Sequence, residues 1–249
     1  MLNDAIEDLN ALHLRAMACR LKAWVEDPAN QLKSHTECVR ALVSAQMAVR
    51  STRRTTSVLQ VAGLPMSACL DDFWKPSQRG VPTGLLANLT DCDWVRAGHS
   101  LVLTGGAFAG KTYLAAALMR EAAGHRLSLG YWRLPELLGM CALEQLKGVD
   151  DWSRFVKQMA KPKLLVLDDF AMERCHPTQC YALRQLLDAR ARRGHALVIA
   201  SPNSHEVWQD YFEDQTAADS IFARIFDKHQ RLDLKGRASE FRTGSAARK

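Results

Sequence analysis

The run SLVLTGGAFAGKTYLAAALMR, residues 100–120, decides how this chain folds. Ser100 to Thr104 form an apolar stretch with the length of a buried strand. From Lys111 onward the composition turns to Ala and Leu, which favour helix. Between the two, Gly105-Gly106-Ala107-Phe108-Ala109-Gly110-Lys111-Thr112 matches GxxxxGK[ST] in full. Small residues let successive backbone N–H groups curl around phosphate oxygens, and the following helix turns its positive end toward the same anion. Lys111 is then expected to reach the β- and γ-phosphates, and the Thr112 hydroxyl to ligate Mg²⁺. The expected nucleotide cradle runs from Gly105 through Tyr113. A glycine turn with a merely solvated Lys is the plain alternative, and the strand before and helix after weigh against it.

Downstream, Leu164-Leu165-Val166-Leu167-Asp168-Asp169 sets two carboxylates after four apolar residues. In open α/β sheets ligands gather at the carboxyl ends of strands. Asp168 is expected to hold Mg²⁺ through its water shell, and Asp169 to polarise an attacking water. Leu129–Arg133 and Ala196–Ala200 supply two further strand-length runs, with helical patterns starting near Lys111, Pro135, Asp151 and Pro177. Strands alternating with helices predict a parallel sheet covered on both faces.

Upstream the grammar differs. From Asn3 to about Ala62 the chain is nearly free of Gly and helical in rhythm. Ile6, Leu9, Leu12, Ala16, Leu21 and Trp24 sketch one apolar face. After a break at Pro28, Val39, Leu42, Ala45 and Val49 sketch another along a helix from Ser34 to about Ala62. Arg50, Arg53 and Arg54 sit on neighbouring sides of that second helix. The expected organisation is a helical domain over 1–62, a Pro- and Gly-bearing connector over 63–98 with a short helix near 83–89, and an ATPase domain over 99–249.

Composition sets the outer bounds. The 249 residues are 47% hydrophobic and 24% charged, ordinary for a soluble protein, and no apolar run approaches membrane-spanning length. The start, MLNDAIEDLN, lacks the basic and apolar segments of a secretory signal, and seven cysteines without a CxxC pair fit a reducing compartment, so a cytoplasmic protein is expected. Cys175, His176 and Cys180 lie close in sequence, but no second ligand pair accompanies them. The six tryptophans are spread singly, as core residues are. A net charge of +6 favours a polyanionic partner.

The chain resembles the IstB/DnaC-type group of AAA+ ATPases, and within it the IstB proteins of bacterial insertion sequences. The likeness runs over nearly the whole length. It is carried by Arg50, Arg53 and Arg54 with the trailing Leu64-Pro65, by CLDDF (69–73), WRLPELL (132–138), LLVLDDF (164–170), EVWQDYFEDQTAADSIFARIF (206–226) and RLDLKG (231–236). The resemblance implies a five-stranded parallel AAA+ sheet and an ATP-dependent DNA-binding protein that oligomerises and recruits or stimulates a partner. For IstB proteins that partner is a transposase, and for DnaC-like loaders a replicative helicase. Arg224 falls where the family places an arginine that reaches the neighbouring subunit's γ-phosphate, a task suited to a fork of permanently charged donors.

Three departures stand out. Phe108 occupies the loop tip, where relatives carry Pro-Thr-Gly across the middle. Asp169 replaces the more usual Glu, and its shorter arm suggests slow hydrolysis. The polar sensor after Ala196–Ala200 is altered: Ser201 and Asn203 are the candidates, with Pro202 where an amide is usual. Beyond LKG a further Arg is expected near the nucleotide, and Arg237 and Arg242 both qualify.

For DNA contact the candidates are Arg50/Arg53/Arg54, favoured because a helix can follow phosphates, then Arg190/Arg192/Arg193 and the tail Lys235/Arg237/Arg242/Arg248/Lys249. Little suggests base readout, so binding to double-stranded DNA is expected to be sequence-tolerant and salt-dependent. The expected function is an ATPase with bound ATP and Mg²⁺ that forms homo-oligomers on DNA and serves a transposase. The alternatives are a helicase loader and a copy that binds ATP without turning it over. A small-metabolite P-loop kinase has no use for sixty helical residues bearing an arginine cluster.

Overall fold

A computed structural model of the chain describes residues 2–64, 66–73, 75–82 and 84–236. Trp74, Arg237, Arg242, Arg248 and Lys249 lie outside the described residues. Contacts divide the chain into a small unit, Met1–Ser57, and a large one, Val58–Lys249.

The small unit is helical: α1 (Leu2–Ala11), α2 (Arg15–Glu26) and most of α3 (His35–Val61). The stretch from Ile6 to Trp24 is two helices where one continuous face was expected. The chain breaks at His13, which adopts a positive φ of 58°. No side chain of the preceding residue caps α2; instead Gln46, buried on α3, accepts from the N–H groups of Ala16 and Met17 at 3.2 and 3.4 Å. Ser34 and Glu37 close a reciprocal capping box at the start of α3, which fixes its first turn. Along α3, Leu42 is buried, whereas Val39 and Val49 are exposed, so the expected apolar face is only partly covered.

The large unit carries a five-stranded parallel sheet in the order β2-β3-β4-β1-β5, with β1 (Ser100–Thr104), β2 (Leu129–Arg133), β3 (Leu164–Asp168), β4 (Ala196–Ala200) and β5 (His229–Asp233). The two-residue period of the strands divides the core. Val102, Leu165, Leu167, Leu197 and Ile199 face one side and pack with α7 (Leu134–Lys147), α8 (Val149–Met159), α9 (Pro177–Ala191) and α10 (Gln215–Phe226). Leu101, Leu103, Leu164, Val166 and Val198 face the other side, toward α6 (Lys111–Gly124).

The segment expected as a connector contributes to that second core through Phe73, Val81, Leu89, Cys92 and Val95. It holds two short helices, α4 (Leu85–Thr90) and α5 (Asp93–Arg96). β5 has only Leu232 buried, as an edge strand can.

Candidate nucleotide site

β1 ends at Thr104 and the chain turns at once into the glycine loop. Gly105 has φ +137° and a side chain there would strike the carbonyl of Leu234, just past β5. Gly110, at φ +92°, caps α6, and a side chain there would strike the guanidinium of Arg79. Only glycine satisfies both the backbone angle and the close approach at these two positions. The Ala109 carbonyl accepts a hydrogen bond from Arg79, whose guanidinium also stacks 4.0 Å over the Phe73 ring. Arg79 is buried, and burial pulls its pKa down.

The loop delivers Lys111 and Thr112 into the first turn of α6. The Lys111 ammonium is nearly enclosed and donates to the carbonyls of Gly105 and Gly106 at 2.8 and 2.9 Å. Burial lowers its pKa, while Asp168 and Asp169 oppose the shift. The Thr112 hydroxyl donates to Asp168 Oδ2 at 2.7 Å, tying the P-loop helix to the end of β3. Two oxygens of the kind Mg²⁺ takes therefore meet at the helix's positive end. The donor set, a hydroxyl and a carboxylate, fits that ion.

The structure brings Lys111, Thr112, Asp168 and Asp169 together. Tyr113 begins the same helix turn, but its hydroxyl donates to the carbonyl of Cys69, so its side chain braces the segment before β1.

A family model described as IstB-like ATP binding protein matches residues 7–247. The chain belongs to the IstB-like ATP-binding proteins. It is 32% identical over 209 residues to the insertion sequence IS1162 ATP-binding protein of Pseudomonas fluorescens, covering 82% of this chain and 88% of that one. An insertion-sequence ATP-binding protein of Sinorhizobium fredii is 27% identical over 234 residues, covering 94% of both. Among solved structures, the DnaC helicase loader superposes with a TM-score of 0.51 at 20% identity over 61% of this chain and 89% of that chain. AMPPCP-bound DnaA from Aquifex aeolicus gives 0.55 at 17% identity over 69% and 51%. These likenesses carry the fold, an AAA+ sheet.

Within this IstB-like site, three residues escaped sequence reasoning. Tyr131 on β2 donates to Asp168 Oδ2 at 2.9 Å, and burial with the nearby carboxylates pushes its own pKa up. Arg133, at the end of β2, holds Asp169 Oδ2 at 2.6 Å. Both follow from the parallel register, which pairs Tyr131 with Val166 and Arg133 with Asp168. WRLPELL contained one of them, but sequence alone does not say which strand β2 adjoins. Arg79 is a third omission, hidden in the connector.

Asp169 itself sits at φ +55° and Ala171 at +53°, a strained turn for non-glycine residues. The side-chain amide of Asn203 donates to the Ala171 carbonyl at 2.8 Å and so pins that turn. Ser201 is buried, and its hydroxyl oxygen accepts from the Trp208 indole at 2.9 Å and from the Asn203 N–H at 3.2 Å. The two sensor candidates thus join β4 to the acidic turn.

Arg224 lies elsewhere. Its Nε donates to Asp188 Oδ1 at 2.5 Å, and it lines a cavity with Gly98 and Ser100, at the amino end of β1. A five-residue strand spans about 16 Å, which separates it from the phosphate loop of its own chain.

Of the basic groups, Arg50, Arg53 and Arg54 are exposed on α3, as are Arg192 and Arg193 after α9. Arg190 corrects the expectation: it is fully buried and donates to the carbonyls of Met159, Pro162 and Ala196, so it cannot meet DNA. Cys175 and Cys180 are buried together, with the Cys180 thiol donating to the Cys175 carbonyl, while His176 faces Glu213. Among the described residues no helix is long and apolar enough to cross a membrane.

Proposed function

We propose that this IstB-like protein is an ATPase that binds double-stranded DNA with little sequence preference, assembles on it as an ATP-bridged homo-oligomer, and presents the complex to a transposase. The convergence of Lys111, Thr112 and Asp168 at the helix terminus carries the nucleotide part. The insertion-sequence names of relatives matched over most of their length support the transposition part.

The residues divide the work. Amides from Gly105 to Tyr113 wrap the phosphates, including those of Ala107 and Phe108, and Lys111 leaves its carbonyl partners to neutralise the terminal phosphate. Bound Mg²⁺, held at Thr112 and Asp168, would draw charge from the phosphoryl oxygens. Asp169 orients the attacking water once Arg133 loosens its grip. Arg224 serves the site of the adjacent copy, because its own phosphate loop is at the far end of β1. Ser201 and Asn203 report on the acidic turn. Arg50, Arg53 and Arg54 contact phosphates along DNA.

A helicase loader is the second reading, favoured by the DnaC likeness, which extends to the fold alone. A copy without turnover is a third, favoured by the Arg133–Asp169 ion pair.

Sedimentation with duplex DNA and a nonhydrolysable ATP analogue tests the proposal. A large species is expected with both, and Lys111→Ala should abolish it. Random-duplex affinity should fall steeply with salt, and replacing Arg50, Arg53 and Arg54 by Ser should flatten the log–log slope by about 2 to 3. A protein that stays monomeric with every addition refutes the assembly, and a salt-independent affinity refutes the phosphate contacts. Incubating the DNA-bound species with the transposase or with a replicative helicase separates the partners, since only the true one should co-sediment.

A further inference from the structure

The cavity beside Arg224 and the exposed Phe108 ring are both unexplained by nucleotide chemistry. Phe108 adopts φ +62°, a region that bulky residues rarely enter, and is 80% exposed at the tip of the phosphate loop. A large aromatic held outward at conformational cost is a feature to account for. At the opposite end of the sheet, a cavity of about 240 Å³ is walled by Gly98, Leu187, Ala191, Leu197 and Ala223, with Arg224 among its lining residues. Cavities of about 150 Å³ hold a benzene ring.

We propose that Phe108 of one copy seats in the cavity beside Arg224 of the next, forming an aromatic anchor of the assembly. The inference rests on Arg224 acting across the subunit boundary. If Arg224 reaches phosphates cradled by the neighbour's loop, the wall bearing Arg224 faces that loop, and Phe108 is its protruding tip, three residues before Lys111. The wall is chemically suited to a ring. Its apolar side chains supply area, and Arg190, Arg224 and Lys228 outnumber Asp227, the carboxylate among its lining residues, leaving a positive excess that an aromatic face attracts. Arg190 is buried there with an Nε that makes no hydrogen bond among the described residues, a donor that a ring face would satisfy weakly. Seating Phe108 removes an exposed ring from water and places the phosphate loop and the arginine in register.

Photo-cross-linking tests the contact directly. With p-benzoylphenylalanine in place of Phe108, the full chain is irradiated with duplex DNA and a nonhydrolysable ATP analogue. The expected product is a covalent dimer whose linked peptide lies within 187–198 or 220–228. Linkage mapped elsewhere, or no dimer while sedimentation shows oligomers, overturns the proposal. Two substitutions approach it independently: Phe108→Ala removes the ring while keeping a side chain at the same backbone angle, and Ala223→Trp fills the cavity from the exposed face of α10. Each is expected to raise the protein concentration needed for assembly by about tenfold with an unchanged melting curve; parental assembly by both overturns the anchor. Arg224→Ala separates the two ideas. If it hydrolyses ATP normally while Phe108 still cross-links to the cavity, the arginine's role falls and the anchor stands. If no condition yields an oligomer, both fall.

Discussion

Arg133 Nε lies 2.6 Å from Asp169 Oδ2, so a cation grips the carboxylate proposed to polarise water. An ion-paired carboxylate is a weaker hydrogen-bond acceptor for anything else. The pair is partly exposed, and such pairs contribute about 1 kcal/mol or less to stability. Arg133→Ala should therefore melt near the parent while releasing phosphate faster, by roughly three- to tenfold. Slower release would mean that Arg133 orients Asp169 and does not restrain it. Asp169→Glu, with a longer arm, should also accelerate single turnovers; a rate no greater than the parent's would tell against the short side chain as the brake.

Asp168 accepts from Thr112, Tyr131 and the Asp169 N–H. Asp168→Asn should keep nucleotide binding but lose turnover by about a hundredfold or more, because an amide neither attracts Mg²⁺ nor accepts as strongly. Tyr131→Phe removes one hydrogen bond, about 1 kcal/mol of stability. Its effect should appear mainly in turnover, not in nucleotide affinity, and equilibrium binding of a fluorescent ATP analogue separates the two.

Arg190 is a scaffold cation. Burial pushes its pKa down to about 9, yet its guanidinium ties together the ends of α8, the turn before β3 and the start of β4. Arg190→Ala removes the donor to three carbonyls, two of them at buried contacts, and should cost about 3 kcal/mol or more in urea unfolding. Arg192→Ala and Arg193→Ala, on the exposed surface, should each change stability by about 0.5 kcal/mol or less.

Buried thiols make a pH prediction. Burial raises Cys92 to about 11 and Cys141 to about 12, against 9.0 for an ordinary thiol. The unfolded chain loses these protons first as pH rises, so each thiol's contribution is complete below pH 9 and is lost between there and its folded value. Unfolding free energy should fall across that window by about 1.4 kcal/mol per pH unit for each thiol. At neutral pH, exposed Cys19 should alkylate quickly while Cys92 and Cys141 resist until unfolding.

Much of this was legible in the sequence. SLVLT and ALVIA coincide with β1 and β4 to the residue, because central parallel strands are buried on both faces and stay apolar throughout. LGYWR coincides with β2, a half-buried edge strand whose aromatic residues give it strand character. HQRLD escaped notice as the fifth strand, since an edge strand with one buried residue carries no such signal. Lys111, Thr112 and Asp168 were found because one local motif and one strand end specify them. Arg79, Tyr131 and Arg133 were not, because their roles come from neighbours that only the register and the packing supply. Arg190 was misread for a related reason: a cluster of charges in sequence does not disclose which member points inward.

The pairing of β1 with β5 also bears on how the molecule is made. Thr104 bonds Asp233, Gly105 lies against Leu234, and the Lys235 N–H donates to Arg79, whose guanidinium props Ala109. A growing chain leaving the ribosome thus exposes its glycine loop long before the residues that brace it exist. Until β5 emerges, that loop lacks these braces, and nucleotide capture is expected to be a late event in biogenesis.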